Sequence, residues 1–353
     1  MKDFQEIVDS HATNHQFSGV VRIKQGEYTV YEGAFGYASK AFRIPNKMDV
    51  RFGTASITKM FTALGILKLV DSGRVGITDL LSEYLQFDDA TLDPGITIEQ
   101  LLTHTSGIAD YFDARNPEGF EKLWSQVPSQ YIDRLDKILP LFIDETPENR
   151  PGEQFAYCGS GFILLGLVIE KVTGMDYYQY MREEVFKKHY LFDTDFIPLQ
   201  QVCENVAEGY IPVKNEKNQL IGWQRNIFSV PSNGLSDGGA FSTARDMIKF
   251  MRMLRQHEFL SEATTKEWLW PRIEVGSGLF YGLGVWIAYD EQGDLMKYGH
   301  TGEDPGVSAR VYHYPKQNID LVLFSNHGLS TSALLSELEA LITSGKYDVG
   351  LQI

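Results

Sequence analysis

Ser56-Ile57-Thr58-Lys59 sets a hydroxyl and an amine three positions apart at the start of a long apolar run. On a helix that spacing puts both side chains on one face, with Cβ atoms about 5–6 Å apart. A serine hydroxyl is a poor nucleophile until a neighbouring group takes its proton, and a neutral lysine is one such group. The positive end of the helix also favours an anion developing on Ser56. Taken as four residues, the tetrad reads equally as a helix cap followed by a surface lysine. Its context favours chemistry, because Lys59 stands directly before the apolar stretch Met60 to Val70. A lysine entering a buried helix needs a partner or a depressed pKa.

Other reactive residues lead nowhere as specific. Cys158 follows Tyr157, but no sequence signal places a histidine beside it, so it reads as a small buried residue. His11 and His15 have the i,i+4 spacing of a metal pair, yet no third-ligand motif accompanies them. A zinc hydrolase is disfavoured on that ground, and neither a metal nor an organic cofactor is expected. No glycine fingerprint for a nucleotide precedes a helix in the required setting.

The chain has 353 residues, 43% of them hydrophobic and 22% charged, which describes an ordinary globular protein with room for a large core. A net charge of -15 and a pI near 5.0, without a dense Lys/Arg cluster, disfavour a nucleic-acid partner. The N-terminus carries no apolar stretch like a secretion signal, and no segment offers an uncharged span long enough for a membrane. A cytoplasmic location is expected unless an export leader has been removed. The two cysteines, Cys158 and Cys203, read as free thiols.

The elements that must position Ser56 follow from periodicity. Gly19–Ile23 and Tyr28–Tyr31 alternate like two strands turning at Gln25-Gly26. The run Met60–Val70 is apolar on nearly all sides and predicts a central buried helix, stopped at Asp71-Ser72-Gly73. Thr97 and Gln100 have capping-box spacing. Gly159–Val172 predicts an apolar helix, Asp176–Lys188 a more polar one, and Ser229–Gly239 a loop before a helix from Thr243. Leu283–Tyr289, Leu295–His300, Val307–Tyr314 and Leu321–Asn326 read as strands, and Leu334–Ile342 as an amphipathic helix. The expected fold is α/β (α+β), a mainly antiparallel sheet built from both termini and flanked by helices, with an inserted helical lobe. Residues 1–350 form one unit, with a sheet lobe of about 1–75 plus 240–350 and a mainly helical lobe of about 76–239.

With these elements in place, the sequence resembles the serine β-lactamase and penicillin-binding-protein family, particularly its class C β-lactamase, DD-carboxypeptidase and esterase branches. Ser56-Ile57-Thr58-Lys59 matches the first family motif. Tyr157-Cys158-Gly159 stands where the second, Tyr-x-Asn, is expected, and His300-Thr301-Gly302 matches the third. Leu101–Ile108, Pro151-Gly152 and Gly239–Asp246 add agreement in the same order. The resemblance implies that Ser56, Lys59 and Tyr157 are catalytic, with Tyr157 moving the proton to or from the serine and leaving group. It implies an oxyanion hole from the backbone N–H groups of Ser56 and Glu303. Thr301 would hydrogen-bond the substrate, Gly302 would permit close approach, and His300 would supply a polar or switchable charge.

Two departures bear on the substrate. Gly159 replaces the family's asparagine, which removes a donor and an acceptor and opens room for another acyl group. Glu303 reads as a solvent-facing turn residue, though a carboxylate there could repel an anionic substrate. The expected activity is hydrolysis of a small ester or amide through an acyl-enzyme. A DD-carboxypeptidase or D-stereospecific peptidase, a β-lactamase, and a non-turnover penicillin-binding or regulatory module are the alternatives. The partner is thus a small ester, amide, lactam or short peptide.

Overall fold

The alternating segments at the two ends of the chain meet in one sheet, seen in a computed structural model that describes residues 3–14, 17–87, 91–112, 123–124, 127–328 and 331–347. His15, half of the histidine pair noted above, lies outside the described residues. Gly19–Gln25 and Tyr28–Phe35 form a hairpin that turns at Gly26, whose φ of 55° suits glycine. The sheet continues from Gly19–Gln25 through Ile319–Ser325, Val307–Tyr314, Leu295–Asp304, Trp286–Tyr289 and Leu279–Tyr281 to Ile273–Gly276. All eight strands run antiparallel to their neighbours.

Successive strand side chains point to opposite faces, so each strand feeds two cores. Val20, Val311, Val322 and Phe324 enter the core shared with the central helices. Val21, Tyr312, Leu321 and Leu323 instead join Phe4, Val8, Leu334 and Leu338 from the two terminal helices, Phe4–Asn14 and Ser332–Ser344. Because both faces are covered, every residue of Ile319–Ser325 is buried. That explains the unbroken apolar run Leu321–Phe324 within it.

The central helix spans Thr58–Asp71 and lies against Gly159–Thr173, both buried along most of their length. A Cβ at Gly65 would stand 2.9 Å from Ile169 Cδ1, so an added methyl would have to push that side chain aside. The capping box at Thr97 and Gln100 is formed in both directions. Among the described residues, no helix is long and apolar enough to cross a membrane.

Three expectations change. The predicted helix Asp176–Lys188 is α-helical only over Tyr177–Tyr180, widens to a π-helix over Met181–Phe186, and ends as a 3₁₀ turn at Lys187–His189. Its tyrosines are fixed at separate points: Tyr177 to the Thr62 hydroxyl, Tyr178 to the Gly234 carbonyl and Tyr180 to the Gly65 carbonyl. Those buried anchors, rather than a polar surface, set its backbone. The strand expected at Leu283–Tyr289 begins only at Trp286, after a turn at Gly284 with φ 78°. The strand expected to end at His300 continues to Asp304, so His300-Thr301-Gly302 lies within a strand rather than at its turn. The Phe4–Asn14 helix and the strands Ile273–Gly276 and Leu279–Tyr281 are not among the expected elements, although Phe4, Ile7, Val8 and His11 have helical spacing.

Gly302 is where the sheet meets the turn that carries Ser56: an added Cβ would lie 2.1 Å from the Thr54 carbonyl oxygen and 3.1 Å from Ala55 Cβ. Gly302→Ala is therefore expected to cost about 1–3 kcal/mol or more by overpacking. Gly222→Ala, whose Cβ would meet nothing within 4 Å, is its control. Urea denaturation of the two variants checks this, with the midpoint falling only for Gly302→Ala.

Candidate active site

The segment before Ser56 is strapped to a distant loop. Phe52–Gly53 pairs with Phe241–Ser242, and both the backbone N–H and the hydroxyl of Thr54 donate to the Ala240 carbonyl at 2.8 Å. The Ala240 N–H returns a bond to the Thr58 hydroxyl at 3.1 Å. Ala55 is held at φ 45°, a left-handed conformation that costs a non-glycine residue of order 1 kcal/mol or more. Ser56 follows it inside a 3₁₀ turn, Ala55–Ile57, and the long helix starts at Thr58. Ser56 lines a cleft of about 460 Å³ together with Tyr111, Asp237, Phe241, Asp304 and Val307.

Lys59 is 1% exposed. Its Nζ donates to Ser56 Oγ at 3.2 Å and to the Asp237 carbonyl at 2.7 Å, and lies 3.9 Å from Asp237 Oδ2. The rings of Tyr157 and Phe162 stand 5.0 and 5.5 Å from it. Burial pushes the ammonium pKa down, but Tyr157, Asp237 and Asp110 outweigh burial and hold it above the ordinary lysine value. Tyr157 is coupled to both Ser56 and Lys59. Burial raises its phenol pKa, Lys59 and Ser56 oppose that rise, and the phenol stays above the ordinary tyrosine value. Its ring stacks parallel to Trp286 at 6.2 Å and lies 4.2 Å from the ring of His104.

Cys158 does have a histidine beside it, contrary to expectation, yet its thiol is not activated. The Cys158 backbone N–H donates to His104 Nδ1 at 3.1 Å, while burial pushes the thiol well above its usual range. Burial also keeps His104 neutral. Gly159 opens the next helix, where the N–H groups of Gly159 and Ser160 both donate to Asp110 Oδ1 at 3.1 Å. Burial still raises the Asp110 pKa to about 6.

The space opposite Gly159 is not open. A Cβ there would fall 2.6 Å from Asp237 Oδ2 and 3.1 Å from Tyr111 Cε1. A carboxylate from another segment occupies the place of the missing side chain. Tyr111 donates its hydroxyl proton to that same Oδ2 at 2.8 Å, and burial raises the Asp237 pKa.

Strand alternation sorts the third motif. His300, Gly302 and Asp304 share the face of Val311 and Ala309, toward the helices and the cleft. Thr301 and Glu303 take the opposite face. Thr301 borders a shallow depression with Trp286, Lys297 and Tyr312. Glu303 is a strand residue rather than a turn residue. Its carboxylate pairs with the buried Arg310 and accepts from Ser308 Oγ at 2.9 Å. The carboxylate that does enter the cleft is Asp304, whose pKa burial and the Asp237 charge raise to about 7. His300 is no switch near neutral pH, because burial lowers its pKa to about 3. Its Nδ1 donates to the Thr301 carbonyl at 2.5 Å, which leaves Nε2 to accept from Tyr281 at 3.0 Å.

His104, Asp110, Tyr111, Asp237 and Asp304 were not assigned roles from sequence. Asp304 had a usable signal, since it stands two and four residues beyond Gly302 and His300 and so on their face of a strand. Among the described residues, no three His, Cys, Asp or Glu side chains converge to hold a metal ion.

The Beta-lactamase family description matches residues 4–342. The chain belongs to that family. A penicillin-binding protein from Bacillus subtilis (strain 168) is 28% identical over 362 residues, covering 99% of this chain and 77% of that protein. The crystal structure of a penicillin binding protein from Bacillus halodurans is 37% identical, with a TM-score of 0.88, and covers 96% of this chain and 99% of that one. The D-amino acid amidase from Ochrobactrum anthropi SV3 shares the fold at 23% identity and a TM-score of 0.78, over 97% and 99% of the two chains. This member of the Beta-lactamase family is thus a serine-hydrolase-type enzyme on a mixed α/β fold.

Asp304 generates a test of the cleft's electrostatics. Its folded pKa is raised, so its contribution to stability is fully present below the unfolded value near 4 and is lost as pH rises through about 7. Asp304→Asn removes that loss. Its Tm should exceed wild type at pH 8.5 by several degrees more than at pH 4. Scanning calorimetry at the two pH values decides it, and an equal difference at both would place Asp304 in water.

Proposed function

We propose that this enzyme hydrolyses small esters or amides through an acyl-enzyme on Ser56. The observation that carries the reading is the 3.2 Å hydrogen bond between Lys59 Nζ and Ser56 Oγ, at the edge of the cleft and with Tyr157 coupled to both. Ser56 Oγ attacks the substrate carbonyl, and its proton passes to the Lys59–Tyr157 pair. The backbone N–H groups of Ser56 and Glu303 are assigned to the oxyanion, a role independent of where the Glu303 side chain points. Tyr157 returns the proton to the leaving group, and a water activated by the same pair cleaves the acyl-enzyme. The acceptor form is the pair with one proton fewer. Both members lie above their ordinary pKa values, so that form becomes more populated as pH rises.

The cleft favours acyl groups without a carboxylate. Asp237 and Asp304 face it, His300 is neutral, and Arg225 at its rim is 3.6 Å from Glu208. Penicillins and D-alanyl dipeptides both carry a carboxylate that would need a free cation. That chemistry ranks a small ester or amide above a β-lactam or a DD-peptide. It also supports turnover over a role as a penicillin-binding module.

Intact-mass measurement after a fluorophosphonate should show one adduct on wild type and none on Ser56→Ala. p-Nitrophenyl acetate turnover should disappear in Ser56→Ala and fall about 10²–10⁴-fold in Lys59→Ala. Wild-type kcat/KM for that ester should climb with pH to 9 and beyond, with benzylpenicillin turned over far more slowly. A wild-type protein that forms no adduct would sink the nucleophile assignment. A stable penicilloyl adduct without ester turnover would establish the binding module instead.

A further inference from the structure

We propose that Asp237 is the positioning residue for Lys59, its carboxylate standing in the space that a side chain at position 159 would otherwise fill. The inference rests on the reading of Ser56 and Lys59 given above. Gly159 and Asp237 then form one unit, in which the loss of a polar side chain from a helix start is offset by a carboxylate from a loop. The overlap is direct, because a Cβ on Gly159 would lie 2.6 Å from Asp237 Oδ2. Real side chains do not approach that closely, so a side chain at position 159 would displace the Asp237 carboxylate from where it stands beside Lys59.

The loop that bears Asp237 is fixed on both sides. Leu235 and Gly238 exchange backbone bonds of 2.6 and 3.2 Å, and the Ser236 carbonyl accepts from Thr62 on the central helix at 2.5 Å. Gly234 and Gly239 have φ of 67° and 99°, and their backbones cross so closely that a Cβ on Gly234 would meet the Gly239 carbonyl at 2.6 Å. In consequence Asp237 offers two oxygens to Lys59, its carbonyl at 2.7 Å and its Oδ2 at 3.9 Å. The Tyr111 hydroxyl fixes Oδ2 from the far side at 2.8 Å. Oδ1 is buried and has no hydrogen-bond partner among the described residues. An unpartnered carboxylate oxygen in the protein interior is costly, and its retention points to a role for the charge beyond filling space.

The charge acts on the reacting pair. Asp237 favours the Lys59 ammonium and disfavours ionisation of the Tyr157 phenol. Asp110, Asp304, His104 and His300 also face Lys59, but the two histidines are neutral and neither Asp110 nor Asp304 is within hydrogen-bonding distance of it. Removing the Asp237 charge should therefore lower the pKa of both members of the pair. A residue that only packed would not produce that shift.

The test uses full-length Asp237→Asn, Asp237→Ala, Gly159→Asn and the double variant Gly159→Asn/Asp237→Ala. Each is measured for ester kcat/KM from pH 6 to 10.5, Tm and fluorophosphonate labelling. Asp237→Asn, nearly the same shape, should keep the wild-type Tm within a few degrees. It should also lose about 10²-fold in plateau kcat/KM, as misplacement of a reacting group does, and move the alkaline limb to lower pH. Gly159→Asn alone should lose both activity and Tm. The double variant should recover at least tenfold over each single one, a coupling that independent sites do not show. An unmoved limb in Asp237→Asn together with additive effects in the double variant overturns the role of Asp237 while labelling of Ser56 stands. Failure of wild type to label overturns the nucleophile reading itself, and this inference with it.

Discussion

The demand that shapes this protein is the burial of one ammonium group. An isolated lysine charge taken from water into the interior carries a cost of several kcal/mol at least, and it persists only where partners replace the lost hydration. Lys59 has those partners: a hydroxyl one turn before it, a loop carbonyl, a nearby carboxylate and two aromatic faces. They come from three separate segments, around Ser56, Tyr157–Phe162 and Asp237, and none is sufficient alone. The fold can be understood as the frame that brings them to one point. Thr54, Thr58 and Ala240 tie the serine turn to the loop, Thr62 ties the central helix to Ser236, and Gly302 lets the sheet edge close over the turn.

Because its partners are so close, the lysine cannot be treated as a free amine. Its neighbours favour the charged form, and Tyr157 is held as a phenol by burial. The resting pair therefore carries a proton too many to act as base. The question of whether the lysine or the tyrosine removes the serine proton becomes a question about a shared proton. The strained backbone at Ala55 and the helix start supply the other half, a fixed hydroxyl beside a positive backbone terminus.

What could be read from the sequence follows the range of each interaction. Ser56 and Lys59 were legible because their relation is local, three residues along one helix. The sheet was legible where both faces of a strand are covered or where side chains alternate, as in Val307–Tyr314. Asp237 was not assigned, since its relation to Lys59 spans 178 residues and has no periodicity to betray it. Glu303 was read as a turn residue because the strand was ended at His300, whereas the strand runs on to Asp304. The broken helix after Asp176 was hidden for another reason. Its backbone answers to three tyrosine hydroxyls bonded to groups elsewhere, which no local propensity records.

Motif matching locates the machinery of acyl transfer better than it identifies the acyl group, and the reason is physical. The serine, the lysine and the oxyanion amides act on a carbonyl that every substrate of the class shares. Selection falls to the charges around that carbonyl, and here they are carboxylates. Asp110, Asp237 and Asp304 are not all ionised below neutrality, because burial and the Asp237 charge raise the cost of ionising the other two. Asp237 lies nearest Lys59 and so has the strongest claim to the charge, while Asp110 and Asp304 titrate near about 6 and about 7. The cleft thus becomes more negative as pH passes through neutrality, which works against any anionic substrate well below the range where the Lys59–Tyr157 pair loses its proton. Discrimination against carboxylates is therefore in place before Ser56 is activated as pH rises, and the buried acids responsible for it include those that hold Lys59 charged.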